Sequence, residues 1–478
     1  MEQETDLVPG GLGVGADLGI KTAPGAPRTT EGRDGVAAVP TVAKPRHFAC
    51  FDGLRAIAAI SVLLLHTAWV SGYTMRSSLG AYTSRLEIGV SVFFLISGFL
   101  LYRPFAVSHL SGRTAPNTRK FWERRLLRIV PAYWLALTVL TIVGAVSLGP
   151  GWQGVASHYL FLQIYFPSQV FNGITQAWSL CTEMSFYFFL PFYAAVVVFR
   201  RGSHRQQLVR ELIGVAALYA FSFGFRYWVF HLPVVTVRNG KFVAICSPHC
   251  GTSPLLATLM PDWLPSYLDL FALGMLLAVA SAWMAEHGSE PSWLRHRLMP
   301  WISWAAAAAT FVLVSHVVSN HSILYFVTPT VNLQRQVLYG LFAFFLLLPA
   351  VFGPQDRTLV RRLLRSWPMA SLGVISYGIY LWHLDLIGQV VNWIGWQKGA
   401  IPYWMLAAAV FGVTVAIASA SYFGLERPIL RLKGRITWWD RKIPTPLPAT
   451  VRERQRPVSD VSADDMRPVA ESGPHPPA

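Results

Sequence analysis

The stretch "RAIAAISVLLLH" (55–66) holds two ionisable side chains, Arg55 and His66, at the ends of ten uncharged residues. It lies in an apolar run over about 54–74, and about 20 such residues suffice to cross a bilayer. Charge is costly in hydrocarbon, so polar side chains there face a bundle interior or a wet cavity. At about 100° per residue, the eleven steps from Arg55 to His66 come back to within about 20° of the starting direction. Both therefore share one helix face, roughly 16 Å apart along its axis. The stretch is thus read as a spanning helix that aims two polar groups into a bundle.

The rest of the chain agrees. Of 478 residues 53% are hydrophobic and only 13% charged, with 18 Trp, too little charge to cover a soluble protein of this length. Ten runs near 54–74, 88–106, 127–148, 179–199, 211–231, 263–284, 300–319, 336–353, 371–394 and 402–424 are candidate spans. "GVASHYLFLQIYF" (154–166) is a candidate half-helix. The expected fold is an all-α polytopic membrane protein, a bundle of about ten transmembrane helices. The net charge of +16 resides in short loops between apolar runs, which excludes a soluble nucleic-acid binder and invokes membrane orientation instead. With the N-terminus inside, the densely basic "RKFWERRLLR", "RRGSHRQQLVR", "LRHRL", "DRTLVRRLLR" and "ERPILRLKGR" all fall on the cytoplasmic side, as the positive-inside rule requires. Both termini are therefore expected in the cytoplasm, with residues 1–48 and 431–478, rich in Pro, Gly and charge, as disordered tails around a transmembrane domain over 49–430.

Cys50 and Cys181 fall at or within helices and are read as buried apolar side chains. Cys246 and Cys250, in "CSPHC" (246–250), fit a local disulfide or free thiols better than a metal, since His249 brings the close ligands only to three.

Other polar residues interrupt the spans. "WSLCTEMSFYFFLP" (178–191) places Glu183 in an apolar run with Trp178 and Ser179 before it and Tyr187 at i+4. An interhelical structural pair explains this carboxylate as well as a functional role does. "ERRLLRIVPAYW" (123–134) puts Arg124, Arg125 and Arg128 on one side of a helix start; guanidinium forks suit phosphate, but orientation alone also predicts them. "SYGIYLWHLDLIG" (376–388) adds Tyr377, Tyr380, His383 and Asp385 as interior groups. Gly89 and Gly98 are read as close-packing positions. Pro428 is expected to stop the last helix, with Glu426 paired to an arginine. Snorkelling at a helix end accounts for Arg55 better than any comparable explanation accounts for His66.

Together, "FDGLRAIAAISVLLLH", "GVSVFFLISGFLL", "FWERRLLRIVPAYW", "WSLCTEMSFYFFLP", "SYGIYLWH" and "LERPI", in this order over 51–430, resemble the acyltransferase 3 family of integral-membrane O-acyltransferases. The resemblance implies transfer of an acyl group, acetyl by default, from acyl-CoA to a hydroxyl of a carbohydrate, glycolipid, cell-wall glycan or macrolide. It implies catalytic roles for His66 and Glu183, with Arg55, Arg125 and Arg128 holding the acyl-CoA. Trp178, Ser179, Tyr187, Tyr380 and His383 are substrate-contacting or structural. The chain looks like the standalone form, without a C-terminal hydrolase-like domain. No bound cofactor or metal is implied: acyl-CoA is a co-substrate, and the setting is the plasma membrane. His66 would act as general base, oriented by Glu183, or carry a transient acyl group. Two rivals stay open on the residues alone, a transporter of a lipid-linked sugar or small molecule and a non-catalytic scaffold or sensor.

Overall fold

A computed structural model describes residues 48–432 apart from 171, 199–201, 233–234, 239–240, 245–258, 289, 318–327, 356–357 and 396–400. The expected tails over 1–47 and 433–478, and Cys246, His249 and Cys250, lie outside the described residues.

The long helices are α1 (Cys50–Val70), α2 (Ile88–Ser111), α3 (Thr118–Ile142), α4 (Trp178–Val197), α5 (His204–Phe230), α6 (Leu268–Glu286), α7 (Met299–Val317) and α8 (Pro329–Val351). After them come α9 (Trp367–Val374), α10 (Ser376–Ile394) and α11 (Tyr403–Ser421). Among the described residues nine helices are long and apolar enough to span a membrane, and α9 with α10, bent by 67° at their junction, makes a tenth. The chain is therefore a multi-pass helical membrane protein. One short antiparallel ribbon, Val235–Arg238 against Lys241–Ala244, pairs Val235 with Ala244 and Arg238 with Lys241, an addition to the all-helical expectation within the loop after α5.

Helix starts follow capping chemistry. The Asn117 side chain accepts from Lys120 N at the head of α3, and Ser203 with Gln206 forms a capping box on α5. The candidate half-helix is a short helix, Gly151–Tyr159, followed by a single 3-10 turn at Gln163–Tyr165. Pro428 does not stop the last helix: α11 runs through a π-turn (Tyr422–Glu426) into Arg427–Leu432, and the widened turn falls directly before the residue that has no N–H to give. Glu426 accepts from Ser421 Oγ at 3.4 Å; Arg128 is the cation that acts on it, though among the described residues the two do not close to ion-pair distance.

Small residues bring α2 close to its neighbours. A Cβ on Gly98 would lie 2.2 Å from the Phe271 carbonyl oxygen of α6, and one on Gly89 would lie 2.4 Å from that of Ala58 on α1, so both glycines are close-packing positions. Phe51 and Phe99 meet edge-on across the α1–α2 seam at 5.2 Å. Cys50 and Cys181 are buried free thiols. One arginine of the basic loops is no solvated charge: Arg361 is buried and donates to the carbonyls of Pro349, Phe352 and Pro354, satisfying the open C-terminal end of α8.

Candidate active site

Four helices and the bent crossing enclose a narrow cavity of about 80 Å³. α1 supplies Arg55, α2 Ser97, α3 Arg125 and Arg128, α4 Ser179, Glu183 and Tyr187, and α10 Ser376, Tyr377 and Tyr380. Residues far apart in sequence thus meet because each sits on the inward face of its helix. Arg125 and Arg128, one turn apart, project to the same wall.

The charges are unevenly satisfied. Arg55 Nη1 lies 3.2 Å from Asp52 Oδ1, with the Arg55 side chain 16% exposed. Arg125 and Arg128 make no ion pair among the described residues, and Arg125 Nε is buried without a hydrogen-bond partner. Glu183 takes two hydroxyl donors on one oxygen: Ser97 Oγ at 2.5 Å and Tyr187 OH at 2.7 Å both reach Oε1. Three guanidiniums face one carboxylate on the wall, with Asp52 at its edge and Glu426 within electrostatic reach of Arg128. A buried, unsatisfied cation is expensive unless a ligand supplies the partner.

The two histidines lie one turn further along α10 than this wall. Tyr380 OH meets Ser179 Oγ at 2.7 Å on the cavity side, while its backbone carbonyl is 2.7 Å from His383 Nδ1. His383 Nε2 is 3.0 Å from His66 Nδ1, and the rings sit 5.0 Å apart. His66 is half-buried and His383 fully buried. The expected guidance of His66 by Glu183 is not the contact present: the carboxylate's partners are Ser97 and Tyr187, and the side chain that touches His66 is His383. Trp178 packs on Tyr267 at 5.3 Å and edge-on to Phe94 at 6.3 Å. Gln176 and Asp385, unremarked as site residues, pair at 3.2 Å beside the Ser179–Tyr380 contact. Ser97 and Gln176 escape a spacing argument because one hydroxyl or amide in an apolar run resembles ordinary helix packing.

The family model described as an acyltransferase domain (acyltransferase 3) matches residues 48–423. The acyltransferase MdmB of Streptomyces mycarofaciens is 27% identical over 406 residues, 80% of this chain and 92% of that protein. The O-acetyltransferase OatA of Staphylococcus aureus is 24% identical over 413 residues, which is 82% of this chain and 58% of OatA. No solved structure matches the chain significantly.

Proposed function

The chain belongs to the acyltransferase 3 family, and on that premise we propose that it moves an acyl group, acetyl by default, from acyl-CoA to an acceptor hydroxyl. The acceptor is a carbohydrate, glycolipid, cell-wall glycan or macrolide, in line with relatives named as an acyltransferase and an O-acetyltransferase. The observation that carries this reading is the cavity wall, where Arg125 keeps a buried Nε without a partner beside Arg55 and Arg128. Such a wall calls for a polyanion, and guanidinium forks bind phosphate oxygens well. At about 80 Å³ the cavity is too small for a nucleotide. The nucleotide therefore stays at the mouth while the thin pantetheine arm reaches inward. The roughly 16 Å from Arg55 to His66 along α1 suits that arm. With both termini in the cytoplasm, the mouth opens on the side where acyl-CoA is made.

His66 removes the acceptor's hydroxyl proton as that oxygen attacks the thioester carbonyl. The C–S bond breaks, and the proton passes to the departing thiolate, giving ester and free CoA. Glu183, held by Ser97 and Tyr187, offsets the arginine charge and orients the acceptor or the arm.

Purified protein in lipid nanodiscs with acetyl-CoA tests the reading. Thioester consumption that rises with a hydroxylated acceptor and vanishes in His66→Ala is expected. Solute movement without thioester loss would instead establish a transporter, and neither activity would establish a scaffold. Mass spectrometry of lipids and wall glycans from a deletion strain identifies acyl group and acceptor together, as one missing mass increment.

A further inference from the structure

Which nitrogen of His66 meets the acceptor follows from what its neighbours can donate. A carbonyl oxygen only accepts, so a ring nitrogen hydrogen-bonded to one must carry the proton. His383 Nδ1 sits 2.7 Å from the Tyr380 carbonyl oxygen; it is therefore the N–H of that ring, and in the neutral imidazole Nε2 is a lone pair. His66 Nδ1 sits 2.9 Å from the Val62 carbonyl oxygen and 3.0 Å from His383 Nε2. It faces two acceptors and must carry the proton shared between them. A doubly protonated His383 would turn an N–H toward this same N–H, which the 3.0 Å approach forbids. The direction of the chain is then fixed: His66 Nδ1–H donates to His383 Nε2, and His383 Nδ1–H donates to the Tyr380 carbonyl. His66 Nε2 is left as the bare basic nitrogen of the only ring of the two with open surface, since His383 is 0% exposed.

Resting on the acyl-transfer reading above, we infer that His383 is a positioning residue for the reaction: it holds His66 in the Nδ1–H tautomer and accepts that N–H more strongly as His66 becomes cationic. Val62 cannot supply this alone. Its carbonyl already takes the helical N–H of His66 four residues on, whereas imidazole nitrogen is a far better acceptor and among the described residues has no other partner. The arrangement assigns to a neutral, buried ring the task that a carboxylate performs behind a catalytic histidine elsewhere. A neutral orienter suits this depth, because a carboxylate there would need its own counter-charge.

Two measurements test the inference. In the unaltered protein, 15N spectra of histidine-labelled material are expected to show His66 Nδ1 as the protonated nitrogen and Nε2 as the bare one. The opposite assignment overturns the inference without any appeal to activity. In parallel, His383→Phe keeps the ring volume but offers no acceptor, and His383→Gln places a carbonyl oxygen near the lost Nε2. His383→Phe should lower kcat by about 10²-fold, a typical share of general-base catalysis, with KM for acetyl-CoA within about twofold. His383→Gln should recover most of that loss. Equal loss in both variants, or a rise in KM in step with the fall in kcat, makes His383 a packing residue and overturns the inference. Thioester turnover surviving in His66→Ala would instead sink the general-base reading itself, so the two failures are distinguishable.

Discussion

Among the described residues, two of the polar side-chain groups in this bundle are satisfied in opposite ways. At the opposite end of α2 from Arg103, Glu87 takes Tyr339 OH at 2.7 Å and lies 3.5 Å from both Arg85 and Arg335. Beside it, Asp269 accepts from Ser222 and from Gln336 on both oxygens, and Arg226 donates to Asn332 and the Ser266 carbonyl while lying over the Tyr267 ring. No buried polar side-chain atom of this cluster lacks a partner. The arginine-lined cavity, by contrast, keeps Arg125 Nε unpartnered, and among the described residues Arg125 and Arg128 make no ion pair. Both groups are ionisable and both are in the bundle, so presence in the membrane alone does not separate a site from a scaffold. What distinguishes these two is how far their hydrogen bonding is completed, and the proposed function makes the unfinished one the place where a ligand supplies the missing partner.

Substitutions can break that contrast. The largest effect belongs to His66→Ala, which should cut acyl transfer by at least about 10³-fold, toward the upper end for a lost general base, with the thermal transition of the purified protein nearly unmoved. A variant that loses its fold along with its activity would place His66 with the scaffold. Next comes Arg125→Gln, expected to raise KM for acetyl-CoA about 10- to 100-fold, the scale of one or two charge-assisted hydrogen bonds, and to leave stability equal or higher. A stability loss above about 1 kcal/mol would mean the cation has a protein partner after all. Arg226→Met should behave conversely. It strips donors from Asn332 and Ser266, costing about 1–3 kcal/mol of stability, while kcat per folded molecule stays within about twofold. Lost turnover in a folded Arg226→Met protein would erase the distinction between the two clusters.

The smallest effect is a pH dependence. Asp262, just before α6, is half-buried, and desolvation of its carboxyl pushes it from 3.8 up to about 7 against the pull of Arg226. The folded state therefore holds a proton that the unfolded chain gives up, and stability is full below about pH 4 and falls as pH rises toward 7. Asp262→Asn should flatten that slope and raise the melting temperature at pH 8 by a few degrees, with little change at pH 4. An unchanged slope would assign the dependence to another group.

Much of this architecture is legible in the chain. Apolar run lengths and basic loops mark the spans, because the bilayer imposes both signals on every crossing. Arg55, Arg125, Arg128 and Glu183 stand out as ionisable groups against apolar helices. The rest depends on pairing across helices. His66 and His383 are 317 positions apart, and nothing in either local stretch encodes their contact. Helical spacing tied Tyr187 to Glu183 correctly, but it gave no sign of Ser97, whose contact with Glu183 comes from α4 lying alongside. Arg226 and Asp269 did carry a signal, charge within an apolar run, but the same signal marks scaffold and site alike. Pro428 misled because a π-turn directly before it lets the helix run on past a residue without an N–H.

The bend between α9 and α10 has a consequence in leverage. Gly373 wedges α9 so tightly on α1 that a Cβ there would lie 2.0 Å from the Asp52 carbonyl oxygen, and Ser376 Oγ takes up the Gly373 carbonyl at the break. His383 sits seven residues beyond that break, about 10 Å along the axis. Were α10 to continue α9 in a straight line rather than turn by 67°, His383 would swing away by on the order of 10 Å, out of reach of His66. One joint near Ile375 thus sets the alignment of a contact about two helical turns beyond it, and small changes at the joint are magnified at the imidazoles.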